Sequence, residues 1–155
     1  MSCRRRRERG AAAVEFALIA PLFIALLFGI ISYGYMLSFR QGISQAAAEG
    51  ARVYAVSPQG TDFKTNAISA INRSLSSYNV TCTAAGSLTR NGTVVGACTV
   101  PTTASTCTGS TSTTARCAKV EIRYNYRDHP LITSFPGLGF TLPETLRYDT
   151  TVQVN

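Results

Sequence analysis

Cysteines are the residues of this sequence with the clearest chemistry. Cys3 lies in an arginine-rich N-terminal stretch. The other four lie in the polar C-terminal half: Cys82, Cys98, Cys107 and Cys117. Such thiols form disulfides in an oxidising compartment, bind a metal ion or remain free and buried. Their spacing is irregular and contains no C-x-x-C pair, so disulfides are favoured over a zinc site. Two bridges are expected; three pairings are possible, and we prefer Cys82–Cys98 with Cys107–Cys117.

The one histidine, His129, is the other side chain that could do chemistry, and it precedes Pro130. A general base needs a nucleophile or an orienting partner. The sequence has no H-E-x-x-H, G-x-S-x-G, P-loop or dinucleotide-binding glycine pattern that would supply one. A lone histidine before proline is more typical of a turn. We therefore predict that the protein is not an enzyme and binds no cofactor, metal ion or small-molecule substrate.

Glu15 is a carboxylate near the start of an apolar run, directly before Phe16. A charged side chain costs about 2.5–3.5 kcal/mol at the centre of a membrane helix and less near its end, so such residues usually have a function. The alternative is that Glu15 lies at the membrane surface and extends its carboxylate into the headgroups. We favour a functional carboxylate with a charged partner.

The element that must position Glu15 is a membrane helix. No charged side chain occurs from Phe16 to Phe39, and a spanning helix needs about 20 such residues. Only Arg40 follows directly, whereas a basic cluster precedes the run, so the positive-inside rule places residues 1–10 in the cytoplasm and the chain beyond Arg40 outside. The cluster consists of Arg4, Arg5, Arg6, Arg7 and Arg9. It supplies much of the formal net charge of +7, and this local basicity does not indicate nucleic-acid binding.

The helix is predicted to continue beyond the membrane as a stalk, because Gln41 to Val56 is rich in alanine and no proline occurs before Pro58. Pro21 is expected to bend it near its start. Small residues recur at every fourth position: Gly34, Ser38, Gly42, Ala46 and Gly50. They form a ridge that would allow another helix to approach closely, although membrane and alanine-rich helices contain many small residues in any case.

The remaining chain is predicted to form a small α+β domain. Asp62 to Leu75 has the apolar periodicity of an amphipathic helix. Asn91-Gly92 indicates a turn between the first two strands, and Thr99 to Ala115 is predicted to be a Thr/Ser-rich loop. The candidate strands of an antiparallel sheet are Asn79 to Ala84, Thr93 to Val100, Ala118 to Tyr126 and Leu146 to Val154.

The N-terminal pattern resembles a known processing site. The residues from Arg9 to Phe16 read R-G-A-A-A-V-E-F and are similar to the cleavage region of type IV prepilins and pseudopilins. Together with Q-A-A-A-E-G-A-R at Gln45 to Arg52, they resemble the TadE/TadG family of tight-adherence loci. The resemblance implies cleavage between Gly10 and Ala11 by a prepilin peptidase.

The resemblance also implies further partners. The new α-amino group of Ala11, on this or a neighbouring subunit, would pair with Glu15. The other expected partners are further pilins, the Tad assembly platform and the lipid bilayer. Ser32 departs from the pattern, since many relatives carry an acidic residue before the following Tyr-Gly.

These patterns predict a pilin-like α+β architecture with a leader at 1–10, a transmembrane helix at 11–39, a helical stalk at 40–57 and an extracytoplasmic domain at 58–155. The predicted function is that of a TadE-like minor pilin of a Flp pilus, held in the bacterial cytoplasmic membrane and involved in adhesion or secretion. One alternative is a membrane-anchored binding module that keeps its leader and enters no pilus. Another is a Sec signal peptide cut near Ala48, although the apolar run is longer than the ~7–15 residues usual for one.

Overall fold

A long helix dominates the structure. A computed structural model describes residues 4–58, 61–108, 114–132 and 142–154, with side chains from Gly10 onward. Helix α1 spans Arg4–Val56 and contains Pro21. The helical extension beyond the apolar run is therefore observed. Residues 1–3 of the predicted leader and residues 109–113 of the predicted Thr/Ser-rich loop lie outside the described residues.

The second helix, α2, spans Phe63–Leu75 and is amphipathic, as predicted. Asp62 is its N-cap and accepts hydrogen bonds from the backbone N–H and the hydroxyl of Thr65, at 3.1 and 2.6 Å. These bonds lower the pKa of Asp62, because they stabilise the carboxylate. A 3₁₀ turn at Ser76–Tyr78 follows the helix. The apolar face is buried and consists of Ala67, Ile68, Ala70, Ile71 and Leu75.

The strands form one antiparallel, six-stranded sheet. Their order is β1-β2-β3-β5-β6. Strand β4 lies on the same edge of β5 as β3: β3 pairs with the C-terminal part of β5, and β4 pairs with its N-terminal part. The strands are β1 Val80–Cys82, β2 Ser87–Arg90, β3 Thr93–Thr99, β4 Ser105–Thr106, β5 Arg116–Tyr124 and β6 Leu146–Val154. Four of them correspond to predicted strands, and the predicted α+β fold class is confirmed.

Strands β2 and β4 were not predicted. β2 reads S-L-T-R and has Leu88 as its only apolar residue, so its alternation is too short to recognise. The Asn91-Gly92 turn therefore joins β2 to β3, and both residues have positive φ, at 50° and 81°. β4 lies inside the segment predicted as a loop.

Glycine is required at one position of β3, where the backbones of β3 and β5 approach closely. A Cβ at Gly96 would overlap the carbonyl oxygen of Arg123 and lie 2.9 Å from its carbonyl carbon. Gly96 pairs with Tyr124 in the register of the two strands. No side chain fits there without displacing the backbone of one strand.

The C-terminal half of α1 packs against the sheet and α2, and together these elements form what we call the globular body. On β5 every second residue is buried, from Ala118 to Tyr124. The buried apolar residues of α1 are Met36, Phe39, Ile43, Ala46, Ala47, Ala51 and Tyr54. The predicted stalk at 40–57 is thus part of the body's core. No charged side chain is buried among the described residues.

Two disulfides brace the sheet. Cys82–Cys98 joins β1 to β3, and Cys107–Cys117 joins the segment after β4 to β5. These are the preferred pairs of the sequence analysis. The first bridge is buried, since Cys82 is 3% and Cys98 1% exposed, whereas Cys107 and Cys117 are half-buried.

Removing the buried bridge is expected to destabilise the body more than removing the other one. A bridge contributes about 2–4 kcal/mol, and the sequence separations of 16 and 10 differ by only about 0.4 kcal/mol in chain entropy. Burial therefore decides the order: the Cys82→Ala/Cys98→Ala variant should unfold at a lower urea concentration than the Cys107→Ala/Cys117→Ala variant. Urea unfolding of the detergent-solubilised chain measures this. Equal midpoints for wild type with and without reductant would show that neither bridge stabilises the body.

Candidate functional site

The predicted cleavage residues lie on an exposed part of α1. A Cβ at Gly10 would meet nothing within 4 Å. Ala11 and Glu15 are exposed, and Phe16 is 73% exposed. The globular body therefore leaves these residues uncovered.

Ala11 and Glu15 are one helical turn apart on α1 and so lie on the same face, about 6 Å apart along the axis. Among the described side chains, none forms an ion pair with Glu15. In the intact chain the nitrogen of Ala11 is a neutral peptide group within the helix. Cleavage after Gly10 would convert it to an ammonium group close to this carboxylate.

The N-terminal half of α1 exposes an apolar surface of the length of a membrane span. Large apolar side chains are exposed from Val14 to Leu37. Within the part of the chain that the structure describes, one helix, with bounds Gly10–Val56, is long and apolar enough to cross a bilayer. The apolar helix indicates a single-pass membrane anchor.

The ridge of small residues contacts α2 and the turn after it. The hydroxyls of Ser38 and Tyr78 are 3.2 Å apart, and a Cβ at Gly42 would lie 2.8 Å from the Tyr78 ring. A Cβ at Gly50 would lie 2.6 Å from Ile71 of α2, and Ala46 is fully buried. Within the described residues, the helix that approaches this ridge is thus α2 of the same chain. Gly34 differs, because a Cβ there would meet nothing within 4 Å.

An aromatic cluster joins α1 to the sheet at the end of the body nearest the apolar surface. The Phe39 ring makes edge contacts with Tyr78 and Tyr124, with centroid distances of 4.9 and 4.8 Å. The Tyr124 hydroxyl donates to the carbonyl of His129 at 2.7 Å, so His129 takes part in a structural turn through its backbone. Burial raises the pKa of Tyr124, because the phenolate would lose its hydration.

An open cleft of about 600 Å³ lies beside this cluster, between α1 and the start of β6. Tyr33, Met36 and Arg40 line it from α1, and Arg127 and Leu142 line it from the body. The cleft was not predicted from the sequence, in which Arg40 served only to orient the helix. The available signal was that Arg40 is the first charged residue after the apolar run. Among the described residues, no group of three His, Cys, Asp or Glu side chains could hold a metal ion.

The comparison with known families bears on the same N-terminal segment. No curated protein and no solved structure matches this chain. Residues 10–52 match the family model described as TadE-like protein. This segment starts at the predicted cleavage glycine and includes the exposed apolar half of α1 and most of its buried half. Residues 10–52 are thus similar to the TadE-like family, and the resemblance predicted from the sequence is confirmed over this segment.

Proposed function

We propose that this protein is a minor pilin or pseudopilin of a Flp, or tight-adherence, pilus. It is inserted in the cytoplasmic membrane with the N-terminus in the cytoplasm and the globular body outside. A prepilin peptidase cuts it after Gly10, and the mature chain enters a pilus or its assembly platform through α1. It acts by assembly with other pilins, in adhesion or secretion, and not as an enzyme.

The observation that carries this proposal is the family match, which starts at Gly10. That glycine follows the basic stretch and precedes the apolar run, as at the cleavage sites that the sequence resembles. The exposure of Gly10, Ala11 and Glu15 supports the proposal, because a membrane-embedded peptidase needs access to this part of the helix. The family match supports a Tad-associated, membrane-anchored role, and the proposed cleavage after Gly10 is the step that the experiment below tests.

Glu15 is assigned to assembly and not to cleavage. The ammonium group created at Ala11 would offset the cost of placing the Glu15 carboxylate among apolar helices. Replacing Glu15 by glutamine should therefore leave cleavage intact and reduce recovery of the mature chain in sheared pili. Equal recovery of the glutamine variant and wild type would remove Glu15 from the assembly step.

The test of the proposed function is the N-terminus of the mature chain. The protein is expressed in a host that has a prepilin peptidase and in the same host without it, and membrane extracts are analysed by intact mass and N-terminal sequencing. The expected N-terminus is Ala11 in the first host, whereas the chain from the second host should keep the arginine-rich residues before Gly10. Gly10→Leu should abolish cleavage. Gly29→Leu should not, although that glycine also lies on α1 in open space.

Other outcomes identify the alternatives. An uncut chain in both hosts would indicate a membrane-anchored binding module outside the pilus. A cut near Ala48 in both hosts would indicate a Sec signal peptide and a secreted domain. Either result would overturn the pilin assignment.

A further inference from the structure

The position of Arg40 along α1 places it at a membrane surface. The uncharged run from Phe16 to Phe39 corresponds to about 36 Å of helix, which exceeds the ~30 Å hydrocarbon core of a bilayer. Arg40 follows this run directly and therefore lies at the level of the lipid headgroups. Tyr33 lies about 10 Å deeper along the helix, towards the hydrocarbon core.

The cleft described above opens at this level. Arg40 and Tyr33 line it from α1, and Met36 and Leu142 give it apolar walls. It is an open groove, and its volume of about 600 Å³ is sufficient for a headgroup and the glycerol attached to it. At the membrane surface, the charged part of this lining suits the phosphate of a phospholipid, and the apolar part suits its glycerol and upper acyl chains.

The arginines around the cleft differ in their partners. Arg127 forms an ion pair with Glu144 at 2.8 Å and donates to the carbonyl of Leu142. Arg147 pairs with Glu121 at 3.0 Å. Arg40 is exposed and forms no ion pair with any side chain that the structure describes. Among the described side chains around the cleft, the Arg40 guanidinium is therefore the cation available to an anionic ligand.

We propose that this cleft binds the phosphate of a phospholipid in the leaflet where α1 emerges. The Arg40 guanidinium donates charge-assisted hydrogen bonds to the phosphate, and the glycerol and upper acyl chains lie along Met36 and Leu142. The ligand is a lipid and not free phosphate, because the cleft lies where the bilayer begins and Met36 and Leu142 give it apolar walls. The inference requires that α1 spans a membrane, but it does not require cleavage or entry into a pilus.

The test measures lipid that stays bound to the full chain. Wild type and variants are placed in nanodiscs of phosphatidylglycerol and transferred to detergent, and the retained lipid is counted by native mass spectrometry. Arg40→Gln is expected to retain about fivefold less lipid, since a basic residue near an anionic surface contributes about 1 kcal/mol. Arg40→Lys should lie between the two, because it keeps the charge and loses the paired donors.

Arg116→Gln is the matched control. Arg116 is exposed at the start of β5, and the far end of that strand, at Tyr124, contacts Phe39 near the cleft. This variant loses the same charge away from the proposed site and should retain as much lipid as wild type. Equal retention by Arg40→Gln and wild type would refute the site. Displacement of the lipid by excess inorganic phosphate would show a general anion site and would refute the lipid assignment.

Discussion

Replacing Gly96 by alanine is expected to unfold the sheet of the globular body or to lower its free energy of unfolding by at least about 3 kcal/mol, the upper end of ordinary overpacking. The added methyl group would overlap the carbonyl group of Arg123, which is backbone and has no side-chain freedom to move away. Relief requires that β3 and β5 separate at the Gly96–Tyr124 pair. Tyr124 is fully buried and contacts Phe39, so this separation also disturbs the contact between α1 and the sheet.

The measurement is urea unfolding of the detergent-solubilised chain, followed by the near-ultraviolet circular dichroism of its tyrosines. Gly34→Ala is the control, because it makes the same chemical change at a glycine with open space around it. In a helix this change costs nothing and removes some flexibility of the unfolded chain, so its midpoint should equal or exceed that of wild type. A wild-type midpoint for Gly96→Ala would contradict the close approach of β3 and β5.

Replacing Phe39 by alanine is expected to cost about 3–5 kcal/mol, as is usual for a buried phenylalanine. Phe39 is 0% exposed, and its ring contacts Tyr78 after α2 and Tyr124 of the sheet. The variant loses the apolar contact and leaves a cavity at the junction of α1, α2 and the sheet. Hydrogen exchange of the strand amides should then accelerate together, because this one side chain touches all three parts.

Leu37→Ala is the matched control for Phe39→Ala. Leu37 lies on the same turn of α1 but is 40% exposed and is not among the buried core residues. Its truncation should change the unfolding midpoint little. If both variants unfold like wild type, the packing of α1 against the sheet does not stabilise the body.

The strongly periodic elements of this fold could be predicted from the sequence. α1 has a long uncharged run followed by alanine-rich turns, and on β5 every second residue from Ala118 to Tyr124 is buried. β2 could not be predicted, since Leu88 is the only apolar residue in its four. The pairing of β2 with both neighbours creates its structure, and such tertiary pairing leaves little trace in a short segment.

Only those residues of the candidate site that lie close together in the sequence could be predicted. Gly10, Ala11 and Glu15 lie within one short motif, and the motif indicates their chemistry directly. The ridge at Gly42 to Gly50 was recognised as a close-packing face, but periodicity identifies residues that share a face and not the element that covers them. The cleft at Arg40 brings together residues that are far apart in sequence, so only the fold reveals it.

The continuity of α1 has a geometric consequence for how the globular body is held relative to the membrane. Because one helix runs from the membrane segment into the core at Met36 and Phe39, no described joint allows the body to swivel on its anchor. The direction in which the body faces in the plane of the membrane is therefore set by the rotation of the helix about its own axis. Inserting a single residue before Met36 would turn the whole body by about 100° and raise it by about 1.5 Å, so the length of the anchor also determines the direction in which the body points.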